Sequence, residues 1–148
     1  MRWVVLLGLW FAPSIGDEML AAHNAIRATL KLPSLAWSGK IAKAAQQWAD
    51  TLVKDGTFHH PAKLAWGQNL AQFYRDEHIP DQVVYGWASE AAEYDYKTNR
   101  CGGICGHYTQ LVWRDTKEVG CAVARREDRE VRVCDYWPPG NYVGRRPY

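Results

Sequence analysis

The segment from Glu118 to Trp137 constrains the fold more than any other, because its hydrophobic period is two and it doubles back on itself. Val119, Cys121 and Val123 alternate with polar or small residues, and Val131 and Val133 do so on the return. A turn centred on Glu127-Asp128 makes the two runs an antiparallel β-hairpin. That centre sets Cys121 directly opposite Cys134. Opposed residues on antiparallel strands reach disulfide distance when the geometry is favourable. Four cysteines allow three pairings. The register selects Cys121 with Cys134 and leaves Cys101 with Cys105 in a small closed loop. A zinc cluster is a poor alternative, since no C-x-x-C pair occurs.

Disulfides need an oxidising compartment, and the N-terminus supplies the address. Arg2 is followed by an apolar run from Trp3 to Ala12, then Pro13 and Ser14-Ile15-Gly16. A positive start, a short apolar stretch and small residues at the end make a signal peptide over residues 1–16, with cleavage at or within a few residues of Gly16. The run is too short to span a bilayer as a helix. The mature domain is therefore expected to be 17–148, not a membrane protein, and secreted to the extracellular space, or to the periplasm in a bacterium.

Upstream of the hairpin the period is helical. Asp17 is placed to cap a helix to about Leu30, with Met19, Ala22, Ile26 and Leu30 on one stripe. Leu32-Pro33 breaks it. Ser38 is placed to cap a second helix whose Ile41, Ala44, Ala45, Trp48 and Leu52 face inward, with Gly56 as its stop. Residues 57–67 read as loop and 69–73 as a short strand. Asp81 opens a third helix with Val83, Trp87, Glu90 and Tyr94 on one face, and 95–106 reads as a polar loop. On propensity alone Tyr108–Trp113 is a strand, rich in aromatic and β-branched residues. Helices followed by a hairpin make an α+β fold. With 18 basic and 16 acidic residues the charge is too balanced for a nucleic-acid partner.

Several longer motifs carry a resemblance. Gly106–Trp113 reads GHYTQLVW and Val133–Tyr142 reads VCDYWPPGNY. FHHP from Phe58, WGQNLA from Trp66 and WASEAAEYDY from Trp87 fall in order before them. Together, from about Met19 to Tyr148, they are similar to the CAP superfamily of cysteine-rich secretory, antigen 5 and pathogenesis-related proteins, in particular its plant-type and similar bacterial members. The resemblance implies an α-β-α sandwich with a three-stranded antiparallel sheet between helices. It also implies that Tyr108–Trp113 is largely helical, against its propensity. Plant members carry six cysteines. The two absent here, near Asp55-Gly56 and Ala124-Arg125, are partners in that pattern, so no odd thiol remains.

The same resemblance implies a cleft tetrad of His59, Gln68, Glu90 and His107, with His59 and His107 as metal ligands. His60 is the neighbouring alternative to His59. Gln68 departs from the family, which has Glu there. An uncharged amide is no general base and offsets no metal charge, so zinc or another divalent metal is expected to bind weakly. No G-x-S-x-G elbow occurs and the cysteines are expected to be oxidised, so no nucleophile stands out. The function the resemblance implies is a monomeric, non-enzymatic binding module for a sterol beside the loop ahead of Gly106 or a fatty acid between helices, the aromatic loop from Tyr94 to Cys105 and the helices carrying Trp48 and Trp87 being expected to supply the apolar groove. A metal-dependent hydrolase using His59, Glu90 and His107 is one alternative. The other is a precursor that releases the peptide Pro138–Tyr148, whose Pro/Gly-rich composition suits a protease; a tail packed on the domain competes with it. Asp135 stands where that release pattern has Asn.

Overall fold

A computed structural model describes residues 14–74 and 81–148. The apolar run of the expected signal peptide lies outside them. The elements run α1 (Ile15–Thr29), β1 (Ala36–Trp37), α2 (Gly39–Asp55), β2 (Gly67–Phe73) and α3 (Asp81–Ser89). A 3-10 turn (Glu90–Glu93), β3 (Tyr94–Asp95), β4 (Arg100–Cys101), α4 (Gly106–Leu111), β5 (Glu118–Arg126) and β6 (Arg129–Trp137) follow.

The hairpin is the centre of the fold. β5 and β6 pair antiparallel through a two-residue turn, with Cys121 opposite Cys134 and Arg126 opposite Arg129. Glu127 takes the left-handed φ of 57° that such a tight turn requires. The Cys121–Cys134 disulfide has an S–S distance of 2.03 Å, and the Cys101–Cys105 disulfide closes the short loop ahead of α4. Both pairings expected from the register are present.

Strand alternation sorts the apolar residues into two layers. Val119, Cys121, Cys134 and Tyr136 face α1, α3 and α4, where Met19, Val84, Leu111 and Val112 cover them. Ala122, Ala124, Val131, Val133 and Leu70 face α2 and meet Ala45, Ala49 and Leu52. Each fully buried aliphatic side chain contributes roughly 1.5–3 kcal/mol, so both layers are needed. The result is the expected α+β sandwich, with one difference. The sheet has four strands in the order β1-β5-β6-β2, and β1 runs parallel to β5. Two residues carry no readable period, and β1 exists because the chain leaving α1 is laid along β5, where Ala36 N–H donates to the Lys117 carbonyl.

Three local expectations change. The cap of α1 is Ser14, not Asp17; Asp17 is its capping-box partner, and their side chains and backbone N–H groups bond reciprocally. The third helix stops at Ser89, so Tyr94 leaves its face and pairs with Cys101 in a two-stranded ribbon. Gly106–Leu111 is helical, against the propensity of Tyr108–Trp113. Here the Glu90 carboxylate accepts from the N–H groups of His107 and Tyr108, and Tyr108 and Leu111 are buried. Tertiary burial and a capping carboxylate outweigh a strand preference of at most about 1 kcal/mol.

At Gly120 the backbone of α2 lies directly on β5. A Cβ there would sit 2.1 Å from Ala42 N and 2.7 Å from the Ile41 carbonyl carbon. Backbone cannot swing aside as a long side chain does. Gly120→Ala should therefore cost about 2 kcal/mol by forcing α2 off the sheet. A urea midpoint unchanged from wild type would contradict that close approach.

Candidate functional site

The sequence-derived site residues fall into two groups on either side of β2, the edge strand. The first belongs to α4. His107 Nδ1 lies 2.6 Å from Glu90 Oε1, while Glu90 Oε2 takes the backbone N–H of His107 at 3.0 Å. The imidazole stacks on Trp87, with centroids 5.8 Å apart and planes 16° apart. Glu90 opens the 3-10 turn that follows α3, and from there its carboxylate meets the start of α4. Asn69 on β2 donates to the His107 carbonyl at 3.1 Å, fixing the start of α4 against the sheet.

The second group lies on the α2 face. Gln68 is the register partner of Asp135, which shares a face with Val131 and Val133. Gln68 Nε2 donates to Asp135 Oδ1 at 2.8 Å, and Gln68 Oε1 lies 2.8 Å from His60 Nδ1. Of the two adjacent rings it is thus His60 that meets Gln68. His59, exposed like His60, is engaged elsewhere: its Nδ1 lies 2.9 Å from the His60 carbonyl, its own carbonyl accepts from the Trp48 indole at 3.1 Å, and its ring packs edge-on against Trp48. Burial raises the Asp135 carboxyl to about 6, with the Gln68 donation opposing the rise. A cleft of about 260 Å³ lies beside this group, walled by Trp48, Leu64 and Trp66 and floored by Gln68 and Asp135. The family motifs point to Gln68; Asp135 is marked in the sequence only as the residue that stands where the release pattern has Asn.

Two sites require separate treatment. His23, Cys121 and Cys134 bring three potential ligand atoms within 4.8 Å, the one such trio of His, Cys, Asp or Glu among the described residues. The two sulfurs are bonded to each other and offer no thiolate. Both His23 nitrogens are also engaged, Nδ1 with the Met19 carbonyl at 2.6 Å and Nε2 with the Tyr136 hydroxyl at 2.8 Å. This is a core contact and not a metal centre.

The other is a groove of about 300 Å³ between the disulfide-closed loop and the tail, lined by Tyr94, Cys105, Trp113, Tyr142 and Pro147 among others. Ile104, Tyr142 and Val143 stand exposed near it, Ile104 at 70%. The tail is held down. Arg146 donates to the carbonyls of Tyr96 and Lys97, Tyr148 stacks on Tyr96, and Arg114 N–H donates to the Pro147 carbonyl. Residues 138–148 are accordingly a wall of the groove. No helix among the described residues is long and apolar enough to cross a membrane.

Comparison with known proteins gives the same answer from sequence and from shape. Residues 20–136 match the profile of the cysteine-rich secretory protein family. Pathogenesis-related protein 1A of Nicotiana tabacum is 40% identical over 135 residues, covering 89% of this chain and 80% of its own length. The structure of Schistosoma mansoni venom allergen-like protein 4 superimposes with a TM-score of 0.77 at 25% identity, covering 93% of this chain and 95% of its own. The crystal structure of NaASP2 with Zn2+ gives 0.72 at 23% identity, covering 88% and 83%. With its two disulfides, its sandwich and these likenesses, the chain belongs to the cysteine-rich secretory protein, or CAP, family.

Proposed function

We propose that this protein is an exported binding module for a sterol-like apolar ligand, held in the groove between the Tyr94–Cys105 loop and the C-terminal tail. One observation carries the reading. An aromatic-lined groove has the half-exposed Tyr142 in its wall, and Ile104 and Val143, next in sequence to the lining residues Cys105, Tyr142 and Gly144, are large apolar side chains left in water. Contiguous exposed apolar surface is costly to a monomer unless something covers it, and a groove of this size with a few polar groups suits a small apolar ligand. The Cys101–Cys105 bond holds the loop open as a rigid wall. Two disulfides also suit an exported chain with a leader ending near Gly16. Radiolabelled cholesterol should bind the mature protein saturably, and Ile104→Asp should weaken that binding at least tenfold while the melting temperature holds. Linear, non-saturable uptake would end this reading.

A second reading, a weak divalent-metal site, is favoured by a feature that three rings share. His107, His60 and His59 each commit Nδ1 to an oxygen, of Glu90, of Gln68 and of the His60 backbone, and no hydrogen bond reaches their Nε2 atoms among the described residues; His60 and His107 are the two whose Nδ1 is held by a side chain of the expected tetrad. An imidazole whose Nδ1–H is held by an acceptor presents Nε2 as a metal ligand. His60 and His107 would hold the ion, which when bound would supply a Lewis acid. Glu90 would orient one ring, and Gln68, uncharged, the other.

A further inference from the structure

Asp135 is an acid in the wrong company. It is 2% exposed, and its neighbours on the same face of β6, Val133 and Val131, are fully buried. Gln68 Nε2, at 2.8 Å from Oδ1, is its side-chain hydrogen-bond partner among the described residues. No buried side-chain oxygen among those residues lacks a partner. Oδ2, which takes no such bond, therefore opens into the cleft that Asp135 helps to floor. A carboxylate with one oxygen reaching the cleft and one on an amide N–H is ionised near neutral pH, since burial lifts it only to about 6.

The donor inventory then orders the whole chain. An ionised carboxylate accepts only, so the amide must turn its NH2 to Asp135 and its oxygen to His60. That oxygen also accepts only, so the proton of a neutral His60 must sit on Nδ1. An unconstrained imidazole side chain in water favours the opposite form, with the proton on Nε2. The net gain from one more hydrogen bond is enough to reverse that small preference. We infer that Asp135, acting through Gln68, is a positioning residue that sets His60 in the Nδ1–H tautomer and leaves its Nε2 lone pair free to take a divalent transition-metal ion such as zinc. The charge that position 68 lacks is thereby present one strand away. For its ligand, though not for its proton order, this inference rests on the metal reading above.

The tautomer can be read without any metal. In 15N-labelled full-length mature protein at pH 7.5, two-bond 1H–15N correlation should show His60 Nε2 as an unprotonated, pyridine-type nitrogen. In Asp135→Asn, either end of the new amide can face Gln68 and the order is no longer imposed. The pyridine-type Nε2 signal should then fall and the Nε2–H form should predominate. Gln68→Leu, which breaks the link without touching Asp135, should do the same, so the test stands if one variant misfolds. His107, held by Glu90, serves as the unmoved control. A wild-type His60 already in the Nε2–H form, or a tautomer unchanged in both variants, would overturn the inference. In a second arm, zinc is titrated into the same samples, and both variants should bind it about tenfold more weakly than wild type. Wild type that binds no zinc would sink the metal reading alone, because the tautomer shift needs no ion.

Discussion

Replacing Arg27 with methionine should cost the domain about 4 kcal/mol or more, enough to leave little folded protein at 37 °C. Arg27 is fully buried in α1 and forms no ion pair with a carboxylate among the described residues. Its guanidinium is satisfied by backbone alone: Nε donates to the Pro33 carbonyl at 2.8 Å, Nη1 to Leu111 and Trp113 at 3.0 and 2.8 Å, and Nη2 to Arg114 and Thr116 at 3.5 and 3.3 Å. Pro33 lies in the connection after α1; the other four oxygens belong to the end of α4 and the connection into β5, a stretch with little regular structure of its own. One side chain thus ties α1 to the end of α4. Burial lowers the guanidinium to about 10, still well above neutral, so the charge is kept. Methionine would fill the volume but leave several buried carbonyls without a donor, at about 1–3 kcal/mol each before relaxation. Lysine separates fork from charge. A compact ammonium cannot reach five carbonyls spread around a planar fork, so Arg27→Lys should lose nearly as much as Arg27→Met. Urea melts of both variants decide it. If Arg27→Lys lies within 1 kcal/mol of wild type, charge and not the fork is what matters there.

Arg27 also shows where the sequence ceases to be legible. The stripe of α1 was readable through Met19, Ala22 and Ile26, yet His23 and Arg27 share the interior and would be assigned to the solvent face by polarity. Besides the nearby Met19 and Pro33 carbonyls, their partners are a phenol and backbone carbonyls more than eighty positions away, and no local pattern encodes those. The hairpin was the opposite case. A two-residue turn and strict alternation fix register locally, so the Cys121–Cys134 bond could be placed from the residues alone. Tyr108–Trp113 needed the family likeness, because its helix depends on the Glu90 carboxylate and on burial. At the candidate site the likeness reached Gln68, Glu90 and His107. Of the two neighbouring rings the likeness favoured His59. In the fold His60 is the one that meets Gln68, while the Trp48 indole holds the His59 carbonyl. Asp135 was visible only as a departure from a tail motif; its bond to Gln68 appears once β2 is laid against β6.

Asp135 and His23 together make the second large effect, and it emerges only when one of them is removed. His23 is fully buried and its ionisation is pushed down to about 4, mainly by burial and further by Arg27, with the Met19 carbonyl opposing. Between pH 6.5 and about 4 the unfolded chain therefore binds a proton that the folded chain refuses. Stability is fully present above 6.5 and falls as pH drops, by about 3 kcal/mol in total. Asp135 has the reverse sign. Its carboxyl is raised from 3.8 to about 6, so between those values the folded chain holds the proton more tightly. Its stabilisation is present below 3.8 and is lost as pH rises through 6, again by about 3 kcal/mol. Across roughly pH 4 to 6 the two slopes oppose and largely cancel, so wild type should be nearly flat there on their account. In Asp135→Asn only the His23 slope remains, and stability should rise by about 3 kcal/mol from pH 4 to pH 7. The difference between the two curves isolates Asp135, because the exposed carboxylates of Asp17 and Asp95 titrate alike in both proteins. Urea denaturation at half-unit pH steps would show it as curves that diverge with rising pH, the variant gaining on wild type. Parallel curves would mean that Asp135 ionises as freely in the fold as in water, and that the cleft beside Gln68 is open enough to solvate the whole carboxylate.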